Sequence, residues 1–264
     1  MKKMMVGFWV LLAFNSLTAE MGRFDPASHN WIVNTDFWQC IFLEGNMFPG
    51  QFQLRNGKTI GGIVFQDTAM EQNQKTQYRL LQERWAETSV ISNTEDTFII
   101  ELSGGFWCNQ KKIIPLKGVG VTCRYEFKRN SPSFRMLFRY RKPKGKTVFI
   151  YCSACPGWLY EQPFINIIAN QKTEKFIIVN QKDRWTTRFW DMKQKLSLEA
   201  PDFIITAEAP RIIAGLRPAF RYPAFLNLGL WRYTWKADST DLDFQAVLTI
   251  TARQGNDQTS PKGS

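Results

Sequence analysis

Histidine is nearly absent from this sequence, because His29 is the single one among 264 residues. A serine or cysteine hydrolase of the usual kind needs a histidine as its general base, and no nucleophile motif surrounds His29. The sequence also lacks a phosphate-binding glycine loop, a dinucleotide fingerprint and any nucleic-acid-binding motif. We therefore expect no triad chemistry, no cofactor and no nucleic-acid partner.

Long hydrophobic runs are also lacking, apart from one near the start. Met4 to Phe14 is apolar, Lys2 and Lys3 precede it, and the small-residue site Leu17-Thr18-Ala19 follows. Eleven apolar residues are too few to cross a bilayer, which needs about twenty. This pattern predicts a signal peptide over residues 1–19 and a secreted or periplasmic protein, with no transmembrane segment in the remaining chain.

Cysteine is sparse and odd in number: Cys40, Cys108, Cys123, Cys152 and Cys155. The Cys-x-x-Cys motif ends an apolar run rather than starting a helix, so it lacks the setting of a thioredoxin-like site. A zinc site needs four ligands, and a second Cys-x-x-Cys pair is missing, so we expect no metal. We expect Cys152 to face inward from a strand and Cys155 to lie in a turn. A disulfide between Cys108 and Cys123 is one further option, and the pairing of the other thiols stays open.

Alternation with period two is the clearest signal that the chain does contain. In GVGVTCRYEFKR the residues Val121, Cys123 and Tyr125 share one face, and SFRMLFRYRK repeats the pattern after a Ser-Pro turn. Asn56-Gly57 separates two more strand-like runs and suits a type I′ hairpin turn. Helical periodicity is scarce, with residues 78–87 the one ambiguous stretch. We predict an all-β protein with little helix: an antiparallel β-sandwich over residues 20–253 and a disordered polar tail over 254–264.

Positive charge dominates, with a formal net charge of +11. Alternation places five basic residues on one face of the predicted hairpin, and three lysines, Lys142, Lys144 and Lys146, follow them. These five residues, called the basic face below, are Arg124, Lys128, Arg135, Arg139 and Arg141. Arginine binds carboxylate and sulfate in bidentate fashion, so the basic face suits an acidic polysaccharide. A charged solvent face that keeps the sheet soluble would explain the same pattern.

Tryptophan is unusually frequent, with ten in the chain. Flat aromatic rings stack on sugar rings while polar neighbours bind the hydroxyls, so this composition suits carbohydrate binding. Trp231, Tyr233 and Trp235 share a strand face and are expected in the core. The residues beside turns or charges are the candidates for the sugar site: Trp158, Tyr160, Trp185, Arg188 and Trp190.

The central stretch GVTCRYEFKRNSPSFRMLFRYRKPKGKTVFIY resembles the central strands of the galactose-mutarotase-like β-supersandwich. The resemblance implies that fold and a preference for sugars. Epimerases of that fold use a histidine and a glutamate on the concave sheet. Here His29 precedes the strands, so no catalytic residue is carried over.

Three hypotheses follow from the sequence. The first is an exported, mainly non-catalytic protein that binds carbohydrate, with an acidic polysaccharide as one ligand class. The second is a polysaccharide-active enzyme, either a lyase that uses Tyr or Lys as base or a glycoside hydrolase that uses two carboxylates. The third is an envelope-associated domain that binds another protein through an apolar patch.

Overall fold

The computed structural model describes residues 20–43, 49–64, 68–71, 78–80, 87–109, 113–151, 157–158, 166–169, 172–175, 190–192, 195–210, 212–216, 224–228 and 233–253. Within these ranges the regular structure consists of strands and contains no helix. None of the described residues forms a helix long and apolar enough to cross a membrane. The predicted segments 1–19 and 254–264 lie outside the described residues. The assignment of 20–253 to one domain stays a prediction.

The strands, in chain order, are β1 (Gly22–Asp25), β2 (Asn30–Asn34), β3 (Trp38–Phe42), β4 (Pro49–Leu54), β5 (Thr59–Gly61), β6 (Ile63–Val64), β7 (Thr68–Glu71), β8 (Tyr78–Leu80), β9 (Glu87–Asn93), β10 (Thr97–Asn109), β11 (Ile113–Lys128), β12 (Ser133–Arg141), β13 (Val148–Tyr151), β14 (Gly157–Trp158), β15 (Asn166–Ala169), β16 (Lys172–Lys175), β17 (Trp190–Met192), β18 (Lys195–Glu199), β19 (Phe203–Glu208), β20 (Ile212–Leu216), β21 (Ala224–Leu228), β22 (Tyr233–Trp235) and β23 (Asp241–Ala252).

These strands form one large antiparallel sheet and three smaller ones. The large sheet, called the central sheet below, has the order β16-β15-β18-β19-β23-β12-β11-β10-β8-β7-β13-β22, and β9 also pairs with β10. A five-stranded sheet, β1 to β5 in sequence order, is called the N-terminal sheet. The predicted all-β antiparallel sandwich is confirmed.

The long hairpin predicted from alternation is the centre of the central sheet. β11 and β12 pair antiparallel with Cys123 opposite Phe138 and Tyr125 opposite Met136. Every second residue is buried from Val119 to Phe127 and from Phe134 to Tyr140. Since a strand points successive side chains to opposite faces, the buried set shares one face, called the inner face below.

The N-terminal sheet packs on the inner face through aromatic rings. Trp38 is fully buried, and its ring lies edge-on to Phe127 and Phe134 at centroid distances of 6.0 and 5.7 Å. Phe42 meets Tyr125 in the same way at 5.2 Å. The Trp38 indole N–H donates to the carbonyl oxygen of Pro132 at 3.1 Å, which satisfies the one polar atom that this ring buries.

The hairpin predicted at Asn56-Gly57 is present between β4 and β5, but its turn type differs from the prediction. Gly57 N–H donates to the Leu54 carbonyl and Leu54 N–H to the Lys58 carbonyl, both at 2.9 Å. Gly57 has a φ of 84°, whereas Asn56 does not have the positive φ that a type I′ turn requires. The loop therefore has three residues, with glycine at the left-handed position next to a bulge.

The disulfide proposed between Cys108 and Cys123 is wrong. Cys123 lies opposite Leu102 and Cys108 lies opposite Ile114, so six residues of β10 separate the two positions. That spacing corresponds to roughly 20 Å of extended strand, and a disulfide needs Cα atoms within about 7 Å. Both side chains are buried in the core instead. Cys152 and Cys155 lie outside the described residues, so their predicted placement is untested.

The end of β12 corrects another expectation, because Lys142 does not continue the basic face. It is 4% exposed, and its ammonium donates to the Ser239 carbonyl and lies 5.0 Å from the ring centroid of Trp235. Burial lowers the pKa of this amine, while the Asp238 carboxylate raises it. Trp235 is buried as predicted; Tyr233 lies in β22, and Trp231 is outside the described residues.

We expect Trp38→Phe to lower the free energy of unfolding by about 2 kcal/mol, because it removes part of the buried ring packing and one of the two hydrogen bonds to the Pro132 carbonyl, the other coming from the Ile250 N–H. Urea denaturation followed by circular dichroism measures this change. The neighbouring Phe37, which is 40% exposed, supplies the control. Phe37→Leu should change the free energy by no more than about 0.5 kcal/mol. Equal effects of the two substitutions would contradict the role given to Trp38.

Burial raises the pKa of the Cys40 thiol well above its usual value. Since the thiolate is the reactive form, Cys40 should resist a thiol reagent at pH 8 in the folded protein and react fully in denaturant. The raised pKa stabilises the fold below the thiol's unfolded pKa, and this contribution is lost as the pH rises above it. Mass spectrometry of peptides after labelling tests the prediction, and rapid native labelling of Cys40 would contradict it.

Candidate functional site

The face of the central sheet turned away from the N-terminal sheet is polar, and it is called the outer face below. Register aligns its side chains in rows that run across the strands. One row runs through β10, β11, β12 and β23 as Glu101, Arg124, Leu137 and Gln245, and the next as Ser103, Thr122, Arg139 and Asp243. Because these rows lie on the central strands, their backbone is held on both sides by ladder hydrogen bonds.

Two adjoining depressions mark the outer face. The larger, of about 510 Å³, is lined by Glu101, Thr122, Arg124, Glu126, Leu137, Phe138, Arg139, Asp243, Phe244 and Gln245. The smaller, of about 320 Å³, is lined by Glu87, Ser103, Gly104, Gly105, Trp107, Gly120, Val121, Thr122, Arg139 and Arg141. Thr122 and Arg139 belong to both, so the two depressions form one feature, called the outer-face groove.

Three glycines explain why the smaller depression exists. Gly104 and Gly105 lie on β10, and Gly120 lies opposite Gly105 on β11. A Cβ atom added to Gly120 would come within 3.1 Å of the Gly104 carbonyl oxygen, so even an alanine would crowd this site. Without side chains at these positions the sheet surface is open between Trp107 and Arg141.

The arginines of the outer face are interleaved with carboxylates. Arg124 Nε lies 3.0 Å from Glu126, and Arg135 Nη1 contacts the other oxygen of Glu126 at 3.5 Å. Two further pairs cross from β12 to β23. They are Arg139 with Asp243, in which Nε lies 3.3 Å from Oδ2, and Arg141 with Asp241 at 3.5 Å.

Several polar groups of the groove are left for a ligand. Arg139 uses Nε for Asp243, and its two terminal nitrogens contact no other described residue within hydrogen-bond distance. The Glu101 carboxylate likewise has no hydrogen bond or ion pair with any residue that the structure describes. The Arg139 and Glu101 side chains line the same depression at the centre of the sheet.

The structure describes all five residues of the basic face, and a role for them in binding stays a prediction. Lys128, Arg135, Arg139 and Arg141 are exposed, Arg124 is half-buried, and all five point to the outer face. The expectation missed the acidic residues that neighbouring strands contribute, above all Glu101, Asp241 and Asp243. The alternating stretch Asp241-Leu242-Asp243 is a signal for the latter two, but only the register of β23 against β12 shows which arginines they meet.

The aromatic candidates beside turns stay predictions. Trp158 lies in β14, paired with Ile63, and Trp190 lies in β17, paired with Ala214; only their backbones are described. Tyr160, Trp185 and Arg188 lie outside the described residues. Sequence reasoning missed Trp107, which lines the smaller depression from β10. The adjacent glycines in SGGFW are the signal that could have marked it.

Neither a protein-family model nor a curated protein matches this chain by sequence. Solved structures match its fold. A galactose 1-epimerase from Lactobacillus acidophilus shows 7% identity and a TM-score of 0.55, covering 85% of this chain and 95% of the epimerase. The fold is the galactose-mutarotase-like β-supersandwich. The resemblance stated from the central strands is thereby confirmed at the level of fold.

Larger sugar-related enzymes contain the same supersandwich. An alpha-mannosidase from Enterococcus faecalis shows 10% identity and a TM-score of 0.57, and 87% of this chain matches 30% of the mannosidase. A 4-alpha-glucanotransferase from Thermococcus litoralis shows 9% identity and a TM-score of 0.53, with 87% of this chain and 39% of the other covered. This chain thus spans less than a third of the mannosidase.

The single histidine of the sequence lies away from the outer-face groove. His29 lies in the turn between β1 and β2, where it has a φ of 54°, and its ring lies 6.3 Å from that of Phe24. This turn belongs to the N-terminal sheet, which packs on the inner face of the central sheet. The outer-face groove therefore receives no histidine from the chain.

The ion pair between Arg139 and Asp243 should contribute little to folding, because both side chains are more than half exposed. We expect Arg139→Gln to change the free energy of unfolding by less than about 0.5 kcal/mol. Urea denaturation of this variant beside the native sequence measures the change. A loss above about 1.5 kcal/mol would show that the pair is structural, since exposed pairs do not reach that value.

Proposed function

We propose that this chain is an exported β-supersandwich that binds carbohydrate in the outer-face groove. The observation that carries the proposal is the groove itself, in which arginine, carboxylate, threonine and amide groups lie side by side on the rigid strands at the centre of the sheet. Export rests on the signal-peptide pattern of residues 1–19 and places the protein outside the cytoplasm, where glycans are the abundant polymers.

The groups of the groove match the chemistry of a sugar. Each hydroxyl both donates and accepts, so a sugar needs donors and acceptors in close alternation. Arg139 offers its terminal N–H groups, Glu101 offers a carboxylate, and Thr122 can do both. Leu137 and Trp107 add apolar surface for the faces of the ring.

The structural neighbours support the same class of ligand. Their names describe a mannosidase, a galactose 1-epimerase and a glucanotransferase, each of which acts on a sugar. At 7–10% identity these matches establish the fold, and the ligand is inferred from the groove.

Affinity electrophoresis in native gels that contain neutral, uronate or sulfated polysaccharides tests the proposal. We expect at least one polysaccharide to retard the protein, and we expect Arg139→Gln to weaken that retardation at least tenfold, because Arg139 lines both depressions. Arg135→Gln is the matched control. It removes an arginine from the same strand and the same face, but from outside the groove, and should leave retardation within twofold.

The outcomes separate the alternatives. Absence of retardation by every polysaccharide would overturn the proposal and leave the protein-interaction hypothesis to pursue. Equal losses from Arg139→Gln and Arg135→Gln would show that general surface charge, rather than the groove, binds the glycan. New reducing ends or unsaturated products in the gel lanes would indicate a polysaccharide-active enzyme.

A further inference from the structure

We propose that the outer-face groove selects uncharged glycans, and that Glu101 and Asp243 are the residues that reject anionic ones. This inference rests on the proposed function and specifies its ligand class. It departs from the expectation of an acidic polysaccharide, which followed from the net charge and from the spacing of the arginines alone.

The groove differs in net charge from the chain as a whole. The described residues that line its two depressions include three arginines, Arg124, Arg139 and Arg141, and four carboxylates, Glu87, Glu101, Glu126 and Asp243. These charges sum to −1, whereas the whole chain carries +11. The positive charge that a polyanion would seek therefore lies outside the groove, and a glycan within it would meet a surface of nearly zero net charge.

Each arginine of the groove already has a carboxylate partner. Glu126 lies 3.0 Å from Arg124, Asp243 lies 3.3 Å from Arg139, and Asp241 lies 3.5 Å from Arg141. A uronate or sulfate that bound one of these arginines would place a second anion beside a fixed carboxylate. Like charges held at such distances oppose binding, and this cost grows as water is excluded.

The Glu101 carboxylate has no ion pair among the described residues. Its cross-strand neighbours are Arg124 on β11, which pairs with Glu126, and Ser89 on β9. The titratable side chains that face it within the larger depression are Arg124, Glu126, Arg139 and Asp243, two positive and two negative. The negative charge of Glu101 is thus in excess there, and it can accept hydrogen bonds from neutral hydroxyls without the like-charge repulsion that an anion would meet.

Neutral sugars suit the arrangement for a further reason. An ion pair whose partners are more than half exposed, as Arg139 and Asp243 are, keeps unused donors and acceptors on both sides. A hydroxyl can accept from the arginine and donate to the aspartate at the same time, without separating the two. An anion can use only the arginine.

The test compares pairs of polysaccharides that share a backbone and differ in whether their substituents are charged: methyl-esterified and de-esterified homogalacturonan, dextran and dextran sulfate, and hydroxyethylcellulose and carboxymethylcellulose. Retardation is measured at physiological ionic strength. Groove binding is defined as the share of the native protein's retardation that is lost in the Arg139→Gln variant. For the native sequence we expect groove binding of at least one uncharged polymer, at least tenfold stronger than binding of its charged counterpart.

The double variant Glu101→Gln, Asp243→Asn keeps the size and hydrogen-bonding shape of both side chains and removes two negative charges. We expect the double variant to raise the ratio of groove binding of the charged polymer to groove binding of its uncharged counterpart at least tenfold. Circular dichroism and urea denaturation confirm that the variant is folded. The single variant Glu208→Gln, which changes an exposed carboxylate paired with Lys195 away from the groove, is the control and should leave the ratio unchanged.

The results distinguish this inference from the proposed function. A native protein that prefers a charged polymer in the groove, or a double variant whose ratio equals that of the control, would overturn the selectivity while leaving carbohydrate binding intact. Absence of groove binding with every polymer, charged or uncharged, would overturn both.

Discussion

The structure depends on the burial of one face of the central sheet beneath the N-terminal sheet. Trp38 packs edge-on against Phe127 and Phe134, and Phe42 packs on Tyr125, so β3 covers the inner face of β11 and β12 with rings. Because a strand alternates its side chains, filling this face with apolar residues leaves the other face of the same strands to solvent. The hydrophobic contact that holds the sandwich together thus also presents the groove.

The two faces have opposite physical requirements. On the inner face, rings such as Phe127 and Phe134 fix the register, since a slip of one residue would turn them outward and the charged residues inward. On the outer face, the same register brings Arg139 of β12 opposite Asp243 of β23 and Thr122 of β11. The energetics of the core therefore set the geometry of the polar rows, while the exposed ion pairs contribute little to stability themselves.

The sequence predicted the local part of this arrangement well. Alternation identified the buried side chains of β11 and β12 because that pattern is written within each strand. Alternation did not show that Asp243 lies opposite Arg139, because β12 and β23 are distant in the chain. It also did not show that Cys108 and Cys123 lie far apart, because that depends on the register of β10 against β11. Lys142 was misplaced for a related reason, since its partners Trp235 and Ser239 are far along the chain.

This limit bears directly on function. Arginines counted along β12 suggest an acidic ligand, because the sequence shows Arg135, Arg139 and Arg141 on one face and does not show which residues of other strands lie beside them. Once β23 and β10 are placed, their carboxylates lie opposite arginines of β11 and β12, and the same residues suit hydroxyl groups instead. The charge of a β-sheet surface depends on which residues of neighbouring strands lie opposite one another. Strand register decides this, and the packing of the opposite face fixes the register.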